Sequence, residues 1–171
     1  MGVGKTTIGK QIAQRLGREF VDMDLFIESR YHKAVSNIFA EKGEDFFREI
    51  EHRILQEVAL FENTVIATGG GTPCFFDNMD RMNRSGITIY LKMSADELVQ
   101  RLMASKHERP LIKDKNTEEL TQFVTGSLAK REVWYNRATI IFPVGATSGC
   151  PSGCPEIITE NLINPINEKQ S

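Results

Sequence analysis

Apolar residues recur along much of the chain at the three- and four-residue spacing of amphipathic helices. The helices predicted from this spacing cover residues 6–16, 44–61 and 117–137. Gly17 directly follows the first of them, as expected for a residue that ends a helix. Ser94 and Glu97 have the spacing of a capping box, which predicts that a further helix begins there.

Short runs of β-branched and other apolar residues lie between these helices and predict buried strands. They cover residues 19–21, 64–68, 87–91 and 139–142. Strands that alternate with helices indicate a parallel sheet with helices on both faces, so we predict an α/β fold with three layers. Ligands of such sheets bind beyond the carboxyl ends of the strands. Two candidate groups follow strands here, namely Asp22 with Asp24 and the glycines at 69–71.

The composition is that of a globular protein, and its 171 residues predict one domain over residues 1–171. A formal net charge of −2 argues against a nucleic-acid partner, which would require clustered Lys and Arg. No apolar run approaches the ~20 residues that cross a bilayer, so we expect no membrane partner. Three cysteines without zinc spacing indicate a reduced, cytoplasmic protein. The three histidines are widely spaced and do not suggest a metal site.

The clearest chemical motif is Gly-Val-Gly-Lys-Thr-Thr at residues 2–7, the second half of a phosphate-binding loop. Glycine backbone N–H groups at the start of a helix can surround phosphate oxygens. Gly2, Val3, Gly4 and Thr7 would contribute in this way. Lys5 would reach the β- and γ-phosphates of a bound nucleotide, and the Thr6 hydroxyl would bind Mg²⁺.

The loop pattern is incomplete, because its first glycine would lie before Met1. The strand that normally leads into such a loop is absent for the same reason. We therefore expect that the natural protein starts upstream and that Met1 is an internal residue. Residues 1–6 also fit an N-myristoylation pattern, but that match has no meaning if Met1 is internal.

Asp22 and Asp24 are one residue apart, so an extended backbone would point both side chains the same way. One carboxylate could hold a water on Mg²⁺ while the other accepts a proton from an attacking hydroxyl. The alternative is a solvated turn or a helix N-cap, since the helical run at 25–27 follows directly.

Gly69, Gly70 and Gly71 end a predicted strand, which indicates either a close approach of ligand or backbone, or a flexible turn. Arg48 lies on a predicted helix with Glu51 one turn later, where the carboxylate could steady the guanidinium. Exposed pairs with this spacing are common, so the spacing alone favours a surface ion pair.

Arg131 continues the apolar stripe of the helix at 117–137, where a solvated charge would be misplaced. A buried guanidinium needs an anion, and its planar geometry suits a carboxylate. Arg109 lies in a charged segment at 106–116 that could be either a lid or a plain surface loop. Residues 145–171 are predicted to be rich in turns and then weakly helical. Cys150 and Cys154 are interpreted as part of a turn rather than a zinc site.

These motifs, in the order in which they occur along the chain, resemble those of the shikimate kinase family over most of residues 1–143. Residues 145–171 resemble the family only weakly. The segments that carry the resemblance are residues 2–7, 21–24, 46–51, 67–71, 109–111 and 130–135. The resemblance implies a P-loop fold of the nucleoside monophosphate kinase type, with a closing lid and with its first central strand missing here. It also implies phosphoryl transfer from ATP to the 3-hydroxyl of shikimate, in aromatic amino-acid biosynthesis.

The resemblance further implies a role for each matching residue. Residues 2–7 would hold the ATP phosphates, with Thr6 on Mg²⁺ directly and Asp22 supporting the ion through water. Asp24 would bind the ring hydroxyls and act as the base. Arg48 and Arg131 would bind the shikimate carboxylate beside the three glycines, and Arg109 would stabilise the transferred phosphate.

Two alternatives remain open at this point. A gluconate-kinase-like enzyme is one, because a sugar acid is also a hydroxylated carboxylate. A non-catalytic nucleotide-binding module is the other, because the loop is incomplete. Shikimate is the expected partner, and a monomer is expected.

Overall fold

A computed structural model describes residues 2–104, 117–144 and 155–170 of the chain. In chain order the helices and strands are α1 Lys5–Leu16, β1 Glu19–Asp22, α2 Met23–Tyr31, α3 Val35–Val58, β2 Thr64–Ala67, α4 Asn78–Ser85, β3 Ile89–Lys92, α5 Ala95–Ala104, α6 Thr117–Tyr135, β4 Ile140–Pro143 and α7 Pro155–Gln170. A short 3-10 turn, Thr72–Cys74, lies between β2 and α4. No helix in these ranges is both long and apolar enough to cross a membrane.

The described strands form two parallel pairs rather than one continuous sheet. Strand β1 pairs with β2, from Glu19 opposite Thr64 to Asp22 opposite Ala67. Strand β3 pairs with β4 in the same sense. A cavity of about 810 Å³ is lined by residues of both β2 and β3 and by apolar side chains of α1. Strands β2 and β3 are not hydrogen-bonded to each other. The α/β fold class predicted from the alternation of strands and helices is correct.

Two hydrophobic clusters hold these elements together. One joins α1, α5, α6 and α7 to the β3–β4 pair and includes Ile8, Leu102 and Leu162. The other joins α2 and α3 to the β1–β2 pair and includes Met23 and Ile50. Helix α7, in the segment expected to be only weakly helical, therefore contributes to the core.

Helix ends agree well with their sequence signals. Gly17 adopts a left-handed conformation with φ of 62° and caps the end of α1. The Glu97 backbone N–H donates to the Ser94 hydroxyl at 3.3 Å, and the Ser94 backbone N–H donates to the Glu97 carboxylate at 3.2 Å, which forms the predicted capping box.

Three elements differ from the sequence prediction. Helix α3 begins at Val35 rather than residue 44, and Gly43 interrupts it with φ of 82°. Helix α4 was not predicted, because the segment is mostly polar and is fixed by the buried Asn78 and Met79. Asp24 lies in the first turn of α2, so the expectation of an extended backbone from Asp22 to Asp24 is wrong.

Candidate active site

The phosphate loop at residues 2–7 is shaped by its backbone. Gly2 and Gly4 have φ of 69° and 90°, a conformation that residues with a Cβ rarely adopt. Gly4 directly precedes the first turn of α1, so backbone N–H groups are directed towards the space in front of the helix. Val3 is buried, and its carbonyl oxygen accepts a hydrogen bond from Arg101 Nη1 at 3.4 Å.

Asp22 and Thr6 meet at the start of α2. The Thr6 hydroxyl donates to Asp22 Oδ2 at 2.7 Å. The other oxygen of Asp22 accepts hydrogen bonds from the backbone N–H groups of Asp24 and Leu25 at 3.1 and 3.4 Å. Asp22 is thus the N-cap of α2, a position that the sequence had suggested for Asp24.

The carboxyl group of Asp24 lies close to Gly69. A Cβ atom placed on Gly69 would come within 3.3 Å of Asp24 Oδ1. Although the residue as a whole is exposed, partial desolvation of its carboxyl group raises the pKa of Asp24 above its ordinary value. The negative charges of Asp22 and Glu51 raise this pKa further, while Lys5 lowers it. Because the charge of Lys5 lowers the pKa of Asp24, the phosphate loop and this carboxylate lie close enough to belong to one site.

Arg48 is buried rather than part of a surface ion pair. Its Nη1 donates to Glu51 Oε2 at 2.8 Å, and the two side chains are 9% and 1% exposed. Nε and Nη2 both donate to Glu44 Oε1. Burial alone would lower the pKa of Arg48, but the two carboxylates outweigh it and raise this pKa. The interpretation of Arg48 as an exposed residue is therefore wrong, whereas the expected pairing with Glu51 is confirmed.

The close approach predicted by the three glycines is made by side chains of α3. A Cβ atom on Gly71 would lie 2.5 Å from both terminal nitrogens of Arg48. On Gly69 it would lie 2.5 Å from Glu51 Oε1. The carbonyl oxygen of Gly70 instead accepts a hydrogen bond from the Tyr135 hydroxyl of α6. The turn at 69–71 thus joins α3 to α6.

Arg131 lies on the inner side of α6, as its place in the apolar stripe predicted. It is half-buried and hydrogen-bonds Tyr135. Burial raises the pKa of Tyr135, while the positive charges of Arg131 and Arg48 lower it. The same two arginines act on Cys74, whose pKa is raised by burial. Arg48 and Arg131 therefore share one electrostatic environment beside the glycine turn.

These residues form a single site at the carboxyl ends of β1 and β2. Lys5, Gly69, Gly70 and Arg131 line the same cavity. Asp24 and Arg48 contact the glycine turn from α2 and α3. A phosphate loop, a carboxylate with a raised pKa and two arginines are therefore grouped around the glycine turn at 69–71.

Some sequence-predicted features fall outside the described residues. They are Arg109, the expected lid at 106–116, and the turn with Cys150 and Cys154.

The sequence reasoning did not single out Glu44, Thr72 or Asn78. Glu44 had a usable signal, because it lies four residues before Arg48 on the same helix. Thr72 and Asn78 are recognisable only in three dimensions, since their partners come from other elements.

Helices packed around parallel strands, with a phosphate loop at the strand ends, define an α/β kinase of the P-loop class. The family profile described as shikimate kinase matches residues 1–159. The chain belongs to the shikimate kinase family, an enzyme family whose phosphoryl donor is ATP. This assignment separates it from the gluconate-kinase-like alternative.

Individual relatives agree with the family profile. The chain is 57% identical over 142 residues to a shikimate kinase of Parabacteroides distasonis, covering 83% of this chain and 82% of that protein. The crystal structure of a Bacteroides thetaiotaomicron shikimate kinase is similar with a TM-score of 0.90, at 42% identity over 98% of this chain and 94% of that one. A shikimate kinase from Acinetobacter baumannii in complex with shikimate has a TM-score of 0.85, at 30% identity, covering 99% and 89% of the two chains.

Proposed function

We propose that this protein transfers the γ-phosphoryl group of ATP to the 3-hydroxyl of shikimate, as a cytoplasmic monomer with one domain over residues 1–171. The observation that carries the proposal is the shared position of Lys5, Asp24, Arg48 and Arg131 around the glycine turn at 69–71. This arrangement offers separate places for a phosphate, a hydroxyl and a carboxylate. The relative from Acinetobacter baumannii is in complex with shikimate, which carries both a carboxylate and hydroxyl groups.

The phosphates would lie against residues 2–7. The conformations of Gly2 and Gly4 let the backbone pass close to phosphate oxygens, and the start of α1 favours negative charge there. Lys5 would neutralise charge between the β- and γ-phosphates. Val3 and Thr7 would complete the loop through their backbone N–H groups.

Thr6 and Asp22 fit a Mg²⁺ site. Their hydroxyl and carboxylate oxygens lie 2.7 Å apart, and Mg²⁺ prefers oxygen ligands from few protein residues together with phosphates and water. Thr6 would bind the ion directly, and Asp22 would hold one of its waters. When bound, Mg²⁺ would neutralise charge on the phosphates.

The acceptor would bind on the side of α2, α3 and α6. Arg48 and Arg131 would bind its carboxylate, beside Gly69, Gly70 and Gly71. Asp24 would accept the proton of the 3-hydroxyl as its oxygen forms a bond to the γ-phosphorus, and the bond from that phosphorus to the bridging oxygen of ADP would break. The raised pKa of Asp24 favours this role, since a more basic carboxylate accepts a proton more readily. Arg109 would stabilise charge on the transferred group.

A coupled assay of ADP release with ATP and Mg²⁺ tests the proposal. Shikimate should support turnover, and gluconate under the same conditions should not. Arg131→Ala should raise the KM for shikimate roughly thirtyfold, which corresponds to about 2 kcal/mol for a half-buried partner of a carboxylate. The proposal would be refuted if gluconate supported turnover and shikimate did not, or if neither acid supported turnover.

A further inference from the structure

A chain of hydrogen bonds runs behind the acceptor side of the site, through His52, Asn78, Thr72, Glu51 and Arg48. We call these five residues the buried polar chain. His52 Nδ1 lies 2.6 Å from Asn78 Oδ1, and Asn78 Nδ2 donates to the Thr72 carbonyl oxygen at 2.8 Å. The Thr72 hydroxyl donates to Glu51 Oε1 at 2.5 Å, and Glu51 Oε2 accepts from Arg48. Thr72 and Asn78 are fully buried.

The direction of these hydrogen bonds is fixed. Because the amide nitrogen of Asn78 donates to the Thr72 carbonyl oxygen, its amide oxygen faces His52 and accepts a hydrogen bond from the Nδ1–H group. His52 Nε2 can then accept from Gln56 Nε2, 2.8 Å away. Turning the Asn78 amide around would leave the buried Thr72 carbonyl oxygen facing another acceptor, at a cost of roughly 1–3 kcal/mol. The chain therefore favours one arrangement.

This arrangement fixes the position of Glu51, which binds the side of the Arg48 guanidinium that faces away from solvent. Glu51 is bound at both oxygens, one by Thr72 and one by Arg48, and it cannot rotate without losing a buried hydrogen bond. Glu44, which binds the other edge of Arg48, is 56% exposed and can move into water at little cost. The Phe75 ring lies 4.4 Å from the centre of the guanidinium and restricts its tilt. Glu51 is consequently the contact that sets the direction of the guanidinium.

Among the described residues, no hydrogen-bond acceptor is found for two N–H groups of Arg48, which can therefore bind a ligand. Among the contacts within the described residues, three of its five N–H groups donate to Glu44 and Glu51. Both terminal nitrogens lie beside Gly71. A planar guanidinium binds a carboxylate well only when its donors are aligned with both oxygens. A small rotation of Arg48 would therefore weaken acceptor binding without affecting the phosphate loop.

We propose that Thr72 is a positioning residue for acceptor binding, whose hydroxyl fixes Glu51 and through it the guanidinium of Arg48. The inference rests on the proposed function and concerns the same site. Thr72 does not contact the acceptor. Asn78 and His52 hold Thr72 in place through its backbone carbonyl oxygen.

Thr72→Val and Thr72→Ser test this role, because valine keeps the shape of threonine and serine keeps its hydroxyl. In the valine variant we expect the KM for shikimate to rise about tenfold, while the KM for ATP stays within about twofold. The serine variant should have a KM for shikimate within about twofold of the parent. Thr121→Val is the matched control: it removes a hydroxyl that donates to the Thr117 carbonyl oxygen at 2.8 Å on α6, and both KM values should be unchanged.

The outcomes separate the two proposals. If the parent does not phosphorylate shikimate, both the proposed function and the role of Thr72 are refuted. If the parent is active and Thr72→Val leaves the KM for shikimate unchanged, or raises both KM values equally, only the positioning role is refuted. The role is also refuted if serine behaves like valine.

A second variant addresses the case in which Thr72→Val does not fold. Glu51→Gln keeps the size of the side chain but removes the charge that binds Arg48. We expect its KM for shikimate to rise at least tenfold with an unchanged KM for ATP. An equal rise in the KM for shikimate and the KM for ATP would refute the proposal that Glu51 positions Arg48.

Discussion

The phosphate side of the site is shaped by backbone, whereas the acceptor side is shaped by buried side chains. Gly2 and Gly4 curve the loop in front of α1 through positive φ angles. Arg48 and Glu51 owe their position to a side-chain network that runs through the interior. The conformation of the phosphate loop is encoded within six consecutive residues. The side-chain network, in contrast, forms only when α3 packs against the glycine turn. The two sides should therefore respond to different kinds of substitution.

The largest effect is expected where the two sides meet, at Asp24. Asp24→Asn removes the proton acceptor and should lower kcat by about 10²- to 10⁴-fold, because general-base catalysis contributes about that much. Binding of ATP should persist, which isothermal titration with the nucleotide would measure. Asp96→Asn, in the first turn of α5, is the matched control and should leave kcat unchanged. Equal kcat values for Asp24→Asn and the parent would remove Asp24 from the mechanism.

Gly71→Ala tests the acceptor side alone. The backbone of Gly71 has φ of −90°, which alanine adopts without strain, but the added Cβ would displace the guanidinium of Arg48. We expect the KM for shikimate to rise about tenfold, as for a modest overpacking cost of about 1.4 kcal/mol, with no change in the KM for ATP. Gly126→Ala is the control, since nothing lies near its added Cβ. The same rise in both variants would contradict the close approach of Arg48.

Gly4→Ala makes the converse test on the phosphate side. The added Cβ has space, with Ile8 Cδ1 3.8 Å away, but φ of 90° is strained for alanine. A strain of about 1 kcal/mol should raise the KM for ATP about fivefold and leave the KM for shikimate unchanged. Steady-state kinetics with each substrate varied in turn would measure both values. A larger change for shikimate than for ATP would show that the two sides are not shaped separately.

The smallest expected effect is a shift along the pH axis. Desolvation, together with Asp22 and Glu51, raises the pKa of Asp24, so its basic form is lost at a higher pH than for an ordinary aspartate. As the pH falls, kcat should decline with an apparent pKa above 3.8, and Asp24→Asn should lack this decline. The pH dependence of kcat at saturating substrates is the measurement. An acid limb centred at or below 3.8 would contradict the raised pKa.

The sequence predicted most elements of the fold, for identifiable reasons. Strong periodicity located α6, and short apolar runs located all four described strands to within a few residues. Helix α4 could not be predicted, because the polar segment from Asn78 is fixed by tertiary contacts.

The candidate site shows the same division. The resemblance placed Thr6 and Asp22 at one Mg²⁺ site, and their side chains are hydrogen-bonded to each other. The burial of Arg48 was not predicted, since three-residue spacing to a glutamate looks the same on a surface and in an interior. The roles of Arg48, Arg131 and Arg109 in binding shikimate and phosphate stay predictions.

Helix α7 places the far end of the polypeptide directly behind the nucleotide side. Leu162 and Ile166 pack in the cluster that holds Ile8 and Ile12 of α1, and the Thr159 hydroxyl donates to Gln11 at 3.1 Å. The helix whose first turn would face the triphosphate is thereby supported by residues more than 140 positions away. We therefore expect that tags or truncations that disturb α7 weaken nucleotide binding, because they remove the support of α1.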